Sequence, residues 1–286
     1  MSMKDAFKEV GYVFLRSLDV YRSKSKGLIL PIVAFSVVSV GTDFFFPEKP
    51  GFALMIVLAV LFICGFAISR NIIKLTALRC YSKDMKGIDG IYSPRNTTVM
   101  LADIFVFLAS TILFSFAATF AVLMYAAGDM QKTEATILLK ILIMSVFVII
   151  IYVEKYANTA ILLHSPKNFM HGIYLGLTDL FGYYKYTAPI IVVQSILMIP
   201  TFFIIMNVSL ELKVISGIYT IISMPAFIIP TVLLVARIKG TKKGNLLIGF
   251  IIISALLMAV SFAYSIFFPD IFSKEIDEIL NVTKRH

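Results

Sequence analysis

The sequence predicts an all-α fold: a polytopic transmembrane helix bundle of about seven spans, with a cytoplasmic N-terminus and an N-terminal interfacial amphipathic helix. Three observations carry that prediction. Hydrophobic residues make up 59% of the chain and charged residues only 15%, well below the roughly 25% charged residues of an ordinary soluble protein. The apolar residues gather into stretches of about twenty, the length a helix needs to cross a hydrocarbon core of about 30 Å. The Lys and Arg residues between those stretches fall on alternate sides, as they do when basic loops stay in the cytoplasm.

Residues 1–26 are expected to form the cytoplasmic interfacial helix. Phe7, Val10, Phe14, Leu18 and Tyr21 recur three and four apart, which places them on one face. Lys4, Lys8, Arg16, Arg22 and Lys24 supply the positive charge that holds such a helix against anionic headgroups. Two roles are open for it: a membrane-lying lead-in to the first span, or a docking helix for a membrane or cytoplasmic protein partner. The first apolar run is expected to stay as an anchor, because it is long for a signal core and no small-residue cleavage site follows it.

Residues 27–268 are the bundle, with spans near 27–46, 50–69, 104–128, 136–153, 186–210, 214–236 and 244–269. The third, fifth, sixth and seventh are free of charge, and the second is short but clean. The first carries Asp43 near its end. The fourth carries Lys140 in its first turns, where a lysine can snorkel to the headgroups. Residues 269–286 are an extracytoplasmic tail. Its acidic residues Asp270, Glu275, Asp277 and Glu278 point to a solvated helix, with an apolar face of Ile271, Phe272, Ile276, Ile279 and Leu280.

Charge tests the count. With seven spans, nineteen of the 26 basic residues lie inside, six lie outside and Lys140 sits within a span. Without the fourth span the balance falls to sixteen against ten, and the cluster from Arg237 to Lys243 faces outward. Seven spans is the better reading, and it places the chain in the cell membrane. The net charge of +9 is accounted for by basic loops opposite anionic inner-leaflet lipid, with no nucleic acid required. Phe44–Phe46 and Tyr183, Tyr184 and Tyr186 mark the outer edge of the first span and the inner edge of the fifth.

The least ordinary stretch runs from Glu154 to Tyr186. Apolar residues carry the fourth helix past Val153, and if the membrane extends with it, Glu154 and Asn158 lie one turn apart on one face. A carboxylate at that depth is a functional candidate. The alternative is a membrane that ends near Glu154 and a helix that projects into the cytoplasm. Gln194, on the fifth span, completes the candidate intramembrane polar site, and Asn207 is a further interhelical hydrogen-bonding residue. Pro200, Pro225 and Pro230 are candidate kinks in the fifth and sixth spans. The N-terminal segment with Pro31 and the segment Gly172–Tyr186 with Pro189 enter their spans alike, which hints at a repeat of spans 1–3 and 5–7.

No catalytic constellation stands out, and an enzyme is not expected. HExxH, GxSxG and P-loop patterns are all missing from the sequence. Cys64 and Cys80 match neither a disulfide framework nor a metal-ligand spacing. His164 and His171 stand two helical turns apart without an obvious third ligand. The seventh span has no lysine for a retinal Schiff base. No cofactor and no metal is expected.

Two segments carry a resemblance. SLDVYRSKSKGLILPIVAF, Ser17–Phe35, resembles the opening of an uncharacterised prokaryotic family of multi-pass membrane proteins, a domain of unknown function. YVEKYANTAILL, Tyr152–Leu163, followed by a polar stretch with Gly172 and Gly176, is similar to that family's aromatic-x-Asn-x-Ala helix end and next span. This chain has His164-Ser165-Pro166 where the family has an Asp-Pro-Thr-like turn. The resemblance implies architecture only. A weaker likeness is to the permease subunits of export-type ABC transporters, which usually have six spans. Two functional classes follow: a non-enzymatic scaffold or accessory subunit, and a transporter or ABC-type permease component with a path between spans 4, 5 and 6.

Overall fold

A computed structural model describes residues 3–45, 72–74, 76–77, 94–164, 166–206, 210–267, 276–277 and 280. In chain order the helices are α1 (Met3–Phe45), α2 (Pro94–Ala126), α3 (Lys132–His164), α4 (Phe169–Gly182), α5 (Tyr184–Met206), α6 (Leu210–Ile238) and α7 (Leu246–Phe267). Residues 72–74 and 76–77 are also helical, and no strand occurs among the described residues. The span expected at 50–69, Cys64, Cys80, Asn207 and most of the tail lie outside the described residues.

Among the described residues, three helices are long and apolar enough to cross a membrane: 97–126, 132–164 and 246–267. Between 20% and 24% of their most apolar stretches is buried. Many large apolar side chains of α2 and α7 point outward. Leu108, Ile112, Phe116 and Phe120 do so on α2, and Leu247, Phe250, Ile251 and Phe262 on α7. A soluble monomer does not carry apolar surface on that scale. Tyr184–Ile199 and Ser223–Ile238 are shorter apolar helices.

α1 leaves helical geometry at Lys24 (φ −125°, ψ 20°) and resumes beyond it. Its first part buries Ala6, Val10, Val13, Ser17 and Val20, at spacings of four and three, and packs on α5 and α6. The apolar face expected from the sequence is split. Val10 is buried and Phe14 and Tyr21 half-buried, whereas Phe7 and Leu18 are exposed. Alanine, serine and valine allow close approach to the bundle, so the bulkier side chains are turned away from it. Arg237 of α6 fastens α1 with a hydrogen bond to Glu9 (Nε–Oε2 2.5 Å) and stacks over Tyr12 at 4.4 Å.

α3 is the hub and packs on α2, α4, α6 and α7. It runs to His164, at about 50 Å for 33 residues, and Pro166 cannot extend it. Asn168 then caps α4, its Oδ1 accepting from the N–H of His171 at 2.8 Å. α4 folds back onto α3 through Gly172 and Gly176, four apart as in close-packed membrane helices. A Cβ at Gly176 would stand 2.4 Å from the Ala157 Cα, so only glycine permits this approach.

The helix ends sort into two groups. At one end, Glu9 meets Arg237, Lys239 donates to the Leu163 carbonyl (3.1 Å), Lys243 pairs with Asp179 (2.8 Å), and the Gly244 N–H donates to Gly182 O (2.8 Å). At the other, Ile276 and Leu280 are buried on Ala121, Tyr125, Ala135 and Leu139, and Asp277 pairs with Lys132 at 3.0 Å. Ile276 and Leu280 of the apolar face expected on the tail thus pack on the α2–α3 hairpin, and the other residues of that face lie outside the described residues.

Candidate functional site

Polar residues recur along about two turns of α3: Tyr152, Glu154, Lys155, Asn158 and Thr159. At 100° per residue they wind about 160° around the helix, so their side chains reach several neighbours rather than one. All five are buried.

One flank of this stripe faces α2. Asn158, 0% exposed, donates from Nδ2 to Asp103 Oδ1 at 2.6 Å. Glu154, one turn earlier, is 7% exposed. The other flank faces α5 and α6. Lys155, 3% exposed, donates from Nζ to Gln194 Oε1, and its ammonium lies over the rings of Phe227 (3.8 Å) and Tyr152 (4.1 Å). Aromatic faces are attractive to a desolvated cation. Gln194, 0% exposed, turns its amide to α6, donating to the Phe227 carbonyl at 2.5 Å and to Thr231 Oγ1 at 3.1 Å.

This is where a proline matters. Pro230 disturbs the backbone ladder in the turn that presents the Phe227 carbonyl. α6 nonetheless runs through Pro225 and Pro230, both buried, and α5 runs through Pro200.

A tyrosine pair closes the middle of the bundle. Tyr152 Oη donates to the Ile191 carbonyl at 3.1 Å and lies 3.2 Å from Ser195 Oγ. Tyr264 of α7 donates to the Ser195 carbonyl at 2.5 Å. The cavity beside them is about 10 Å³, lined by residues including Tyr152, Ser195, Phe227 and Tyr264. That is room for about one water molecule.

Four ionisable residues are buried here: Asp103 and Glu154, which can carry negative charge, and Lys74 and Lys155, which can carry positive charge. Lys74 is near enough to act electrostatically on Lys155. An uncompensated charge in such a place would cost several kcal/mol.

Of the three residues expected to form the polar site, Glu154 and Asn158 thus share one flank of α3, and Gln194 joins through Lys155 on the other. Sequence reasoning placed Lys155 in a basic loop and passed over Tyr152, Ser195, Thr231 and Tyr264. The signal available was the run of polar types at 152, 154, 155, 158 and 159, too dense for one lipid-facing helix.

A second polar group sits where α3, α4 and α7 meet. Asp179, 3% exposed, receives Lys243 on Oδ1 and lies 3.6 Å from His164 Nε2 through Oδ2. Lys243 also donates to Thr178 Oγ1 at 3.1 Å. Among the described residues, no three or more His, Cys, Asp or Glu side chains are placed to hold a metal ion.

Compared with known proteins, the chain matches no family model, no curated protein and no solved structure.

Proposed function

We propose that the protein is a multi-pass integral membrane protein of the cell membrane, with seven spans and a cytoplasmic N-terminus, acting as a non-enzymatic scaffold or accessory subunit. The outward apolar surfaces of α2 and α7 support the membrane placement. The grouping of helix ends supports the sidedness. The end that gathers Arg237, Lys239 and Lys243 is the cytoplasmic one under the rule for basic loops. The tail and the α2–α3 hairpin share the opposite end.

One observation carries the scaffold role. The interior polar groups are turned on one another across α2, α3, α5, α6 and α7, beside a cavity fit for a single water. Most of these groups pair with one another, while the Tyr156 hydroxyl and Asn158 Oδ1 have no hydrogen-bond partner among the described residues. A network paired to that degree favours fixing which helix faces which over opening a path.

A second reading rests on the charges. Asp103, Glu154 and Lys155 are ionisable groups buried in helices of membrane-spanning length, the usual mark of an ion or substrate pathway. A transporter or permease component would carry its path between α3, α5 and α6, which meet at Lys155, Gln194 and Thr231.

Thiol labelling separates the two. Ser195→Cys is introduced with Cys64 and Cys80 replaced by serine. The scaffold role predicts no reaction with a membrane-impermeant thiol reagent from either side. Reaction from one side would contradict it and favour a path.

A further inference from the structure

A cleft of about 390 Å³ lies between the α4–α5 turn and the α6–α7 loop, lined by Tyr183, Tyr184, Lys185, Tyr186, Lys242 and Lys243 together with small residues. We propose that this cleft binds the phosphate of an anionic lipid headgroup. The proposal rests on the membrane placement above.

The cleft is preformed. The Gly244 N–H donates to Gly182 O at 2.8 Å, and the Tyr183 hydroxyl donates to the Thr241 carbonyl at 3.4 Å, so the two loops hold each other. A Cβ at Gly244 would lie 2.7 Å from the Tyr184 ring, and glycine is what lets that ring lie there.

Its charge is unevenly used. Asp179 holds Lys243 from beneath at 2.8 Å. Lys185 and Lys242 are exposed and have no acidic partner among the described residues, and no carboxylate lines the cleft. Two free ammonium groups beside tyrosine hydroxyls suit a phosphate monoanion, and basic pockets between membrane helices take such headgroups.

The surroundings favour a lipid over free phosphate. α5 and α7 both start at the cleft and lead away from it with exposed apolar side chains, Val192 and Ile196 on one, Leu247, Phe250 and Ile251 on the other. A headgroup seated in the cleft would have its acyl chains laid along them.

The test uses the full chain, reconstituted in vesicles of phosphatidylcholine with phosphatidylglycerol. Lipid retained after extraction is counted by native mass spectrometry. The wild type should retain phosphatidylglycerol over phosphatidylcholine, and Lys185→Gln with Lys242→Gln should weaken that retention about tenfold. Lys167→Gln, an exposed lysine outside the cleft lining, should leave it unchanged. Undiminished retention in the double variant overturns the proposal. So does full competition by inorganic phosphate alone, which would make free phosphate the ligand. Impermeant labelling of Thr241→Cys reports the side independently: a cleft that retains lipid yet faces outward upholds the site and overturns only the orientation.

Discussion

Lys155 and Lys243 are the same amino acid in two regions of one molecule, and they are held in different ways. Lys155 is sealed among Gln194, Tyr152 and Phe227, which give it an amide oxygen and two aromatic faces. Lys243 meets Asp179 directly, but its side chain remains 36% exposed. In the interior, position is dictated by what an unmatched charge would cost. At the rim, water can replace any partner, so the same residue type is left available for ligands. The interior therefore builds the bundle, and the rim is where it can bind.

That contrast can be broken first at the interior. Lys155→Met should destabilise the protein by about 3–5 kcal/mol, because it removes one of the two buried groups that can offset Asp103 and Glu154. Adding Glu154→Gln should recover part of the loss, with a coupling of about 1–3 kcal/mol. Reversible unfolding in detergent micelles measures both.

Backbone contact comes next. Gly176→Val should cost about 1–3 kcal/mol by forcing α4 off Ala157. Gly11→Ala, with open space around it, should gain about 0.5–1 kcal/mol in the same assay.

The rim should respond more gently. Asp179→Asn should cost about 1 kcal/mol, since Lys243 can turn to water. A loss as large as that of Lys155→Met would erase the distinction between the two regions. The smallest effect belongs to Glu9→Gln, below about 1 kcal/mol and reduced by added salt, because its pair with Arg237 is about a third exposed on both sides. Melting temperatures at low and high salt check it.

Much of the fold was legible in the chain because its signals are local. The charge-free runs in α2 and α7 and the basic residues from Arg237 to Lys243 each declare themselves without a partner. The polar site was legible by half. Glu154 and Asn158 were visible as polar residues one turn apart, but Asp103, some fifty residues away, became a partner only through packing. In sequence Lys155 resembles any lysine at the end of a span, and its contacts with Gln194 and Phe227 appear only through packing. Its burial depends on α5 and α6 packing over it through those two residues, a long-range event that no local pattern encodes.

Sidedness is the most direct test of the whole account. Single cysteines are placed at Asp129, exposed in the α2–α3 turn, and at Thr241, exposed in the α6–α7 loop, with Cys64 and Cys80 replaced by serine. The account predicts that an impermeant thiol reagent labels Asp129→Cys in intact cells and Thr241→Cys only once the cytoplasm is opened. Labelling of both from one side, or in the reverse order, would contradict it.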